Sequence, residues 1–375
     1  MLAMRYILSL TMLSVYGCCL SVLAASEHST TTALHAPHTQ GLATSLVDAR
    51  TAAELPRPWG QSDFALINPS DHPTTVSEFQ EDGAAIQAGK YMGWPALTLH
   101  NGSLAATVVP EIGRLVAFGP IAGGNRLWLN PTFFPHPGDG LERVDDAGDP
   151  IWRNYGGMKI WPYPWTGWPP DSDLDGGIYS VEQGDDWLLL ASARSQRLDT
   201  EVSMRLQFDD DALALTLGMD STQERAIWPV VQVPGSAYCV IPLAAHDDLA
   251  EVVSSPQVDD ADLADSLIPI ENAPADQGHW VSSRHVSEHR KFDVTTASGW
   301  IASVDGLRGS LRLRWTHPHP NPPDHGHDGS FYFNERKESP QKYLELECYS
   351  PIQAGAQEWV IFLDLAKDLD ELSLP

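Results

Sequence analysis

The sequence predicts a mainly β protein, folded as a large antiparallel β-sandwich. Apolar and polar residues alternate with a spacing of two over many short segments, which is the pattern of strands with one buried face. Gly, Pro, Asn and Asp separate these segments, and runs with helical spacing are scarce. Many short strands between such turn residues are typical of a sandwich or a barrel, and one such unit can hold roughly 300 residues.

The first two predicted strands form a hairpin. In WPALTLHNGSLAATVVP, Asn101 and Gly102 lie between two extended runs, which is a signal for a tight turn. The later predicted strands are, in chain order, Trp187 to Ala193, Glu201 to Phe208, Leu213 to Met219, Trp228 to Val233, Leu311 to Trp315, Tyr343 to Tyr349 and Glu358 to Leu363.

Residues 1–25 have the composition of a signal peptide, with Arg5 ahead of an apolar run that ends in small residues. Ser, Thr, Tyr and Gly interrupt the run, which argues against a membrane anchor. Residues 26–58 are rich in Ser, Thr, Ala and His and are predicted to be flexible. One folded domain is expected over residues 59–375 in a periplasmic or secreted protein, with lipid attachment at Cys18 as a minor alternative.

Charge and cysteine content limit the partners. The 375 residues include 50 acidic and 23 basic side chains, and the net charge of −27 argues against a nucleic-acid partner. Removal of a signal peptide leaves Cys239 and Cys348, for which a disulfide and two separate buried thiols both stay open. Thirteen tryptophans are more informative, because indole faces provide flat apolar platforms for ligands.

Three segments resemble galactose-mutarotase-like domains. They are NGSLAATVVPEIGRLVAFGPIAGGNRLWLNP, NYGGMKIWPYPWTGWPPDSDLDGG and YLELECYSPI. The last two are similar to segments of an uncharacterised exported bacterial family within that superfamily. The resemblance covers about residues 90 to 365 and implies a galactose-mutarotase-like supersandwich with a carbohydrate-facing groove. It does not define the chemistry, because one fold hosts several activities.

The strand YLELECYS carries two carboxylates on one face. A spacing of two places Tyr343, Glu345 and Glu347 on the same side, with apolar residues on the other. Two carboxylates this close raise each other's pKa in a partly dry groove and can serve as general acid and base, whereas a solvated strand face is the alternative. The resemblance implies that Glu347 is the base, because mutarotases carry their catalytic base on the corresponding late strand.

The proton donor departs from the pattern of mutarotases, which use a His on a middle strand. The matching segment AIWPVVQVPG offers Gln232 and no His. Lys159, or a His of the segment 317–327 such as His317, is the alternative donor. The HxH pairs of that segment could also bind a divalent metal, but they match no strict zinc pattern, and a Pro-rich loop with solvated His is the simpler interpretation.

The stretch from Tyr155 to Asp175 is rich in Trp, Pro and Gly and is predicted to be a ligand-binding loop. Lys159 is suited to hydrogen bonds with hydroxyls or to neutralising a carboxylate, while Trp161 and Trp168 are suited to stacking on sugar rings. Packing against the sandwich is the alternative for at least one of the tryptophans in this stretch.

The end of this stretch matches the calcium-loop formula literally, at Asp171, Asp173, Asp175, Gly176 and Glu182. An EF-hand needs flanking helices, whereas Pro-rich and strand-like segments surround this loop. A turn capped by Asp side chains is therefore the alternative to calcium. No other cofactor is expected.

The residues predicted to line the groove are Arg114, Lys159, Trp161, Trp168, Asp175, Gln232, Glu345 and Glu347. Arg114 is expected either to clamp a hydroxyl or carboxylate or to pair with a surface acid. The leading hypothesis is an exported protein that binds a mono- or oligosaccharide, with an aldose-epimerase-like isomerase as the enzyme class, Glu347 as base and Lys159 or His317 as acid. A non-catalytic glycan-binding module and a polysaccharide lyase or hydrolase are the alternatives.

Overall fold

The computed structural model describes residues 85–132, 134, 152–164, 166–167, 169–243, 253–254, 267–270, 279–283, 290–316, 323, 326–334, 342–367 and 369. Within these residues the chain forms two antiparallel sheets that share one strand. The prediction of a large antiparallel β-sandwich is confirmed. In this part of the chain no helix is long and apolar enough to cross a membrane.

The strands are, in chain order, β1 (Ala85–Tyr91), β2 (Trp94–His100), β3 (Leu104–Val109), β4 (Arg114–Pro120), β5 (Met158–Tyr163), β6 (Ser180–Gln183), β7 (Trp187–Ala191), β8 (Thr200–Asp209), β9 (Ala212–Pro234), β10 (Tyr238–Leu243), β11 (Val253–Ser254), β12 (Leu267–Pro269), β13 (His279–Ser283), β14 (Arg290–Val294), β15 (Trp300–Asp305), β16 (Gly309–Trp315), β17 (Gly329–Asn334), β18 (Tyr343–Cys348) and β19 (Gln353–Asp364). One 3-10 turn, Pro110–Ile112, precedes β4.

Sheet I has the order β1-β2-β3-β4-β5-β9-β18-β17-β14-β11. Sheet II has the order β6-β7-β8-β9-β19-β16-β15-β10-β13-β12. Their facing sides contribute to one core, which includes Val231 and Leu346 from sheet I and Leu215 and Leu363 from sheet II. The other side of sheet I carries the polar groups described below.

Strand β9 belongs to both sheets. Its first part pairs with β8 and β19, and from Ala226 onward it pairs with β5 and β18. The sequence predicted two separate strands here, which is wrong. The polar and exposed residues 222–224 interrupt the apolar alternation, but they do so at the point where the strand leaves one sheet for the other, so the backbone stays extended.

The predicted hairpin is present. Strands β2 and β3 pair antiparallel, and the Asn101 side chain accepts hydrogen bonds from the backbone N–H groups of Ser103 at 3.0 Å and Leu104 at 2.8 Å. Gly102 has a φ of +87°, a left-handed conformation that favours glycine. The signal from Asn and Gly in the sequence therefore identifies the turn and its register.

The two cysteines of the folded region are separate and buried. Cys239 lies in β10 and Cys348 in β18, and both are buried thiols that are not joined in a disulfide. Burial raises the pKa of both, so both thiols stay protonated at neutral pH and pack as small apolar side chains. Of the two alternatives left open by the sequence, the structure supports separate thiols.

Candidate functional site

Strands of sheet I bring a row of polar side chains onto the face that points away from the core. Lys159 on β5 is opposite Val230 on β9, and Val230 is in turn opposite Glu347 on β18. The row continues through Ser330 on β17 to Asp293 on β14. All five side chains are buried. Because neighbouring strands lie about 4.8 Å apart, Lys159 and Glu347 approach each other across one intervening strand.

A second row lies one step along the same strands. It runs from Gln232 on β9 to Glu345 on β18, Tyr332 on β17 and Lys291 on β14. The alternation predicted for YLELECYS is confirmed, since Leu344, Leu346 and Cys348 of β18 all lie in the core. Glu345 and Glu347 therefore share the face opposite to the core.

Glu347 is fixed by a network of donors. Its Oε2 atom accepts hydrogen bonds from Ser330 Oγ at 2.6 Å, from Trp228 Nε1 at 2.9 Å and from the Tyr349 hydroxyl at 3.4 Å. The Lys291 ammonium lies 3.4 Å from the same oxygen and donates to the Tyr349 hydroxyl at 2.7 Å. These donors hold the carboxyl group of Glu347 in one orientation.

Glu345 has a different environment on the same strand. One of its oxygens accepts a hydrogen bond from Gln232 Nε2 at 2.6 Å. Burial raises the pKa of Glu345 to about 7, with the neighbouring Glu347 acting in the same direction and the positive charge of Lys159 opposing it. Glu345 and Glu347 thus form a carboxyl pair on one face, and Glu345 titrates near neutral pH. The alternative of a solvated strand face is wrong, because Glu345 is only 6% exposed and Glu347 only 2%.

The raised pKa makes a prediction about stability. The folded protein holds the Glu345 proton up to about pH 7, whereas an unfolded chain releases it near 4.5, so stability falls as the pH rises between these values. The side chain introduced by Glu345→Gln cannot ionise, so the stability of this variant does not fall in this way. The free energy of unfolding of this variant relative to wild type is expected to rise by ~3 kcal/mol between about pH 4 and about pH 8 in urea titrations.

Glu358→Gln is the matched control for this experiment, because Glu358 is exposed on β19. Its stability is expected to follow the wild-type pH dependence. If Glu345→Gln also follows wild type over the whole range, Glu345 is not the buried proton carrier.

Lys159 lies on a strand, which corrects the prediction of a loop from Tyr155 to Asp175. Gly156 and Gly157, which precede β5, have left-handed φ values of +89° and +74°. A Cβ at Gly156 would collide with the carbonyl oxygen of Trp128, and a Cβ at Gly157 would collide with that of Leu115. These glycines let the chain approach β4 closely, after which β5 pairs with β9 over six residues.

The ammonium of Lys159 is buried, and no atom of the described residues accepts a hydrogen bond from it. It lies 3.6 Å from the ring centroid of Trp161 and 3.8 Å from Asp175 Oδ2. Burial lowers the pKa of Lys159 to about 8, against the opposing effects of Asp175, Glu345 and Glu347, while Arg114 adds to the lowering. Lys159 is therefore a cation able to release a proton close to neutral pH.

Asp175 is the anchor of this end of the site. Its Oδ1 atom forms a short ion pair with Arg114, and its Oδ2 atom accepts hydrogen bonds from Trp152 Nε1 and Trp161 Nε1, both at 2.8 Å. Burial alone would raise the pKa of Asp175, but Arg114, Lys159 and the indole donors outweigh burial and hold it below its usual value. Pairing of Arg114 with a surface acid is therefore wrong, since both partners are buried.

Arg114 reaches Asp175 because of the turn that precedes it. Gly113 has a φ of +59°, and a Cβ there would overlap the ring of Tyr179. The Tyr179 N–H donates to the carbonyl of Pro110 at 2.8 Å, which holds the segment after Asp175 against this turn. Two segments separated by some 60 residues thus place Arg114 and Asp175 in contact.

The stacking hypothesis requires an open ring face at Trp161. The structure does not show one. Its indole packs edge-on against Trp228 at 5.2 Å, and Lys159 lies over its ring. Its contribution in the described structure is to hold Asp175 and Lys159. Trp168 and His317, the other predicted stacking and acid residues, lie outside the described residues, so their roles stay predictions.

Asp171 and Asp175 of the calcium formula bind different groups of the protein. Asp171 Oδ1 accepts the backbone N–H groups of Asp173 at 3.0 Å and Leu174 at 3.3 Å, while its Oδ2 atom accepts from Ser195 Oγ at 2.7 Å and from Arg197. Asp175 is bound to Arg114, as described above. The alternative of an Asp-capped turn is therefore supported. Among the described residues, no group of three or more metal-ligating side chains is arranged to hold an ion.

Most residues of the cluster were predicted from the sequence, whereas the residues that support them were not. Arg114, Lys159, Trp161, Asp175, Gln232, Glu345 and Glu347 all contribute to this face of sheet I. Trp152, Trp228, Lys291, Ser330 and Tyr349 were not among the predicted site residues. Tyr349 continues the alternation of Glu345 and Glu347 and could have been found by extending it, whereas Lys291 and Ser330 depend on the pairing of β14 and β17 with β18.

No family model matches this chain, and no curated protein matches it. Solved structures do match. A galactose mutarotase-like protein from Clostridium acetobutylicum is 10% identical with a TM-score of 0.45, and the match covers 76% of this chain and 98% of that one. An Escherichia coli protein described as a candidate aldose 1-epimerase is 14% identical with a TM-score of 0.42, over 75% and 99% of the two chains. A TPR-domain containing protein from Parabacteroides distasonis is 12% identical with a TM-score of 0.47, over 75% and 49%.

The names of two of these solved structures contain the terms galactose mutarotase and aldose 1-epimerase. With identities of 10 to 14% and TM-scores below 0.5, they assign no activity and no site residue to this chain. The sandwich and its polar face are defined by the strand pairing of the chain itself.

Proposed function

We propose that the polar face of sheet I binds a neutral sugar and catalyses proton transfer at its anomeric hydroxyl and ring oxygen, as an aldose-epimerase-like isomerase. The observation that carries this proposal is the buried pair Glu345 and Glu347 facing the buried ammonium of Lys159 across one strand. An acid and a base on opposite sides of a reacting group, both titrating near neutral pH, are what general acid–base catalysis requires. The proposed location outside the cytoplasm depends only on the composition of residues 1–25.

The charge balance of the cluster favours a neutral ligand. Its cations are Arg114, Lys159 and Lys291, and its carboxylates are Asp175, Asp293, Glu347 and Glu345. With Glu345 protonated the charges cancel. An anionic ligand would leave a net negative charge in a buried site, which is costly without a further cation.

The orphaned polar atoms favour hydroxyl groups. In the described structure Lys159 Nζ lacks an acceptor, and Gln232 Oε1 lacks a donor, although both atoms are buried. Buried polar atoms in native proteins are rarely left without partners. A hydroxyl both donates and accepts, so hydroxyls of one ligand can satisfy both atoms. A sugar has several such groups and also apolar C–H faces that suit the surrounding aromatic rings.

The proposed reaction transfers two protons and breaks one bond. The carboxyl pair in its deprotonated form takes the proton of the anomeric hydroxyl, while the Lys159 ammonium gives a proton to the ring oxygen. The bond between the anomeric carbon and the ring oxygen breaks, and a carbonyl forms. Rotation of the open-chain aldehyde and reversal of both transfers close the ring with the other anomeric configuration.

The test is whether the folded protein accelerates the equilibration of freshly dissolved neutral aldoses, measured by polarimetry and by NMR exchange spectroscopy. The rate constant kcat/KM is expected to rise as the pH passes about 7, where the pair becomes a base, and to fall above about 8, where Lys159 loses its proton. A pH-independent rate would contradict the assigned groups. Sugar-dependent thermal stabilisation without turnover on a broad panel would establish the non-catalytic binding module instead.

A further inference from the structure

We propose that Trp152 and Trp161 are positioning residues that saturate the Oδ2 atom of Asp175 and thereby keep the Lys159 ammonium available to the ligand. This assignment rests on the proposed function for its catalytic consequence, but its structural part can be measured without a substrate. It explains why a lysine next to an aspartate makes no hydrogen bond to it.

The Oδ2 atom of Asp175, which is the oxygen nearest to Lys159, already accepts two hydrogen bonds. Arg114 occupies Oδ1, and the two indole N–H groups occupy Oδ2 at 2.8 Å each. Lys159 approaches Oδ2 only to 3.8 Å, whereas a charge-assisted hydrogen bond between nitrogen and oxygen is about 2.8 Å long. The indoles therefore hold the positions that a direct bond from Lys159 to Asp175 would need.

Lys159 has favourable contacts for its charge, although no acceptor of the described residues takes a hydrogen bond from it. The face of Trp161 lies 3.6 Å from Nζ and the ring of Trp152 lies 5.4 Å from it, so both indoles also provide cation–π contacts. The charged groups that face Lys159 are Asp175, Glu345 and Glu347, which favour its protonation, and Arg114, which opposes it. With its hydrogen atoms unused by protein acceptors, the ammonium can donate to a ligand oxygen.

Trp152→Phe is the decisive variant, because it removes the N–H donor and keeps an aromatic ring at a half-buried position. Lys159 is then expected to close onto Asp175. Its pKa is expected to rise above about 8 toward the 10.5 of an unperturbed lysine, measured by NMR titration of labelled lysines with Lys159→Met for assignment. Turnover of the sugar at neutral pH is expected to fall roughly tenfold or more, because the donor is displaced and bound.

Trp187→Phe is the matched control, since Trp187 lies on β7 of sheet II, away from this cluster. It is expected to leave both the lysine titration and turnover unchanged. Trp161→Phe provides a second variant if Trp152→Phe does not fold, and it is expected to change the titration in the same direction because it removes a donor to the same oxygen.

An unchanged Lys159 titration in folded Trp152→Phe and Trp161→Phe would overturn the positioning role. A raised Lys159 pKa supports it even where no sugar is turned over by wild type, in which case the proposed reaction fails and the positioning role stands. A loss of turnover without a change in the titration overturns it as well, since the indoles would then act on the ligand directly.

Discussion

Glu347→Gln is expected to lower kcat by about 10²- to 10⁴-fold, the usual contribution of a general acid–base group. The substitution keeps the shape of the side chain, so that Trp228 and Ser330 can still donate to its carbonyl oxygen. It removes the negative charge that makes the pair with Glu345 a base. Binding is expected to survive, since the remaining polar atoms of the site are unchanged.

The measurement is single-turnover and steady-state kinetics on the sugar that wild type equilibrates fastest, together with a sugar-dependent thermal shift. Glu358→Gln, exposed on β19, is expected to keep full activity. Wild-type kcat in a folded Glu347→Gln variant would falsify the assignment of the pair as catalytic base. A thermal shift lost together with activity would assign Glu347 to binding alone.

Arg114→Met is expected to destabilise the protein by about 3–5 kcal/mol, the cost of removing one partner of a buried ion pair. Met fills a similar volume without a charge and leaves Asp175 buried, with the Lys159 ammonium 3.8 Å from its Oδ2 atom. Because Arg114 helps to hold the pKa of Asp175 below its usual value, Asp175 is ionised at neutral pH, where the loss is expected in full.

Denaturant unfolding at neutral pH measures this loss. The double variant Arg114→Met with Asp175→Asn is expected to recover part of it, since it removes the uncompensated charge. Arg194→Met is the matched control, because Arg194 pairs with Asp199 at the surface, where solvent screens the pair and its contribution to stability is small. Equal losses of unfolding free energy for Arg114→Met and Arg194→Met would contradict the expectation that the buried ion pair at Asp175 stabilises the fold.

The sequence predicts those features that depend on local pattern. The alternation in YLELECYS correctly separates Glu345 and Glu347 from the core, and the Asn101–Gly102 turn correctly places a hairpin. Both depend on residues that are neighbours in the chain. Burial of the carboxylates could not be predicted, because it depends on strands and segments that are distant in sequence.

Interactions between distant segments account for the remaining differences. No pattern in the chain connects Arg114 to Asp175, which lies 61 residues later, or Glu347 to Lys291 and Trp228. The irregular composition from Tyr155 to Asp175 concealed β5, whose pairing with β9 overrides the weak strand preference of its prolines and glycines.

The shared strand β9 has a consequence for how the molecule unfolds. The same backbone donates to the ladders of both sheets, with the transfer at residues 225–226. Neither sheet can detach without breaking hydrogen bonds of the strand that also completes the other, so we expect both to open in one cooperative event. Amide hydrogens near Lys159 and Glu345 should then exchange with solvent only as fast as those of the strands on the opposite side of the core. Lys159, Glu345 and Glu347 are thus on strands that we expect to open only together with the rest of the sandwich.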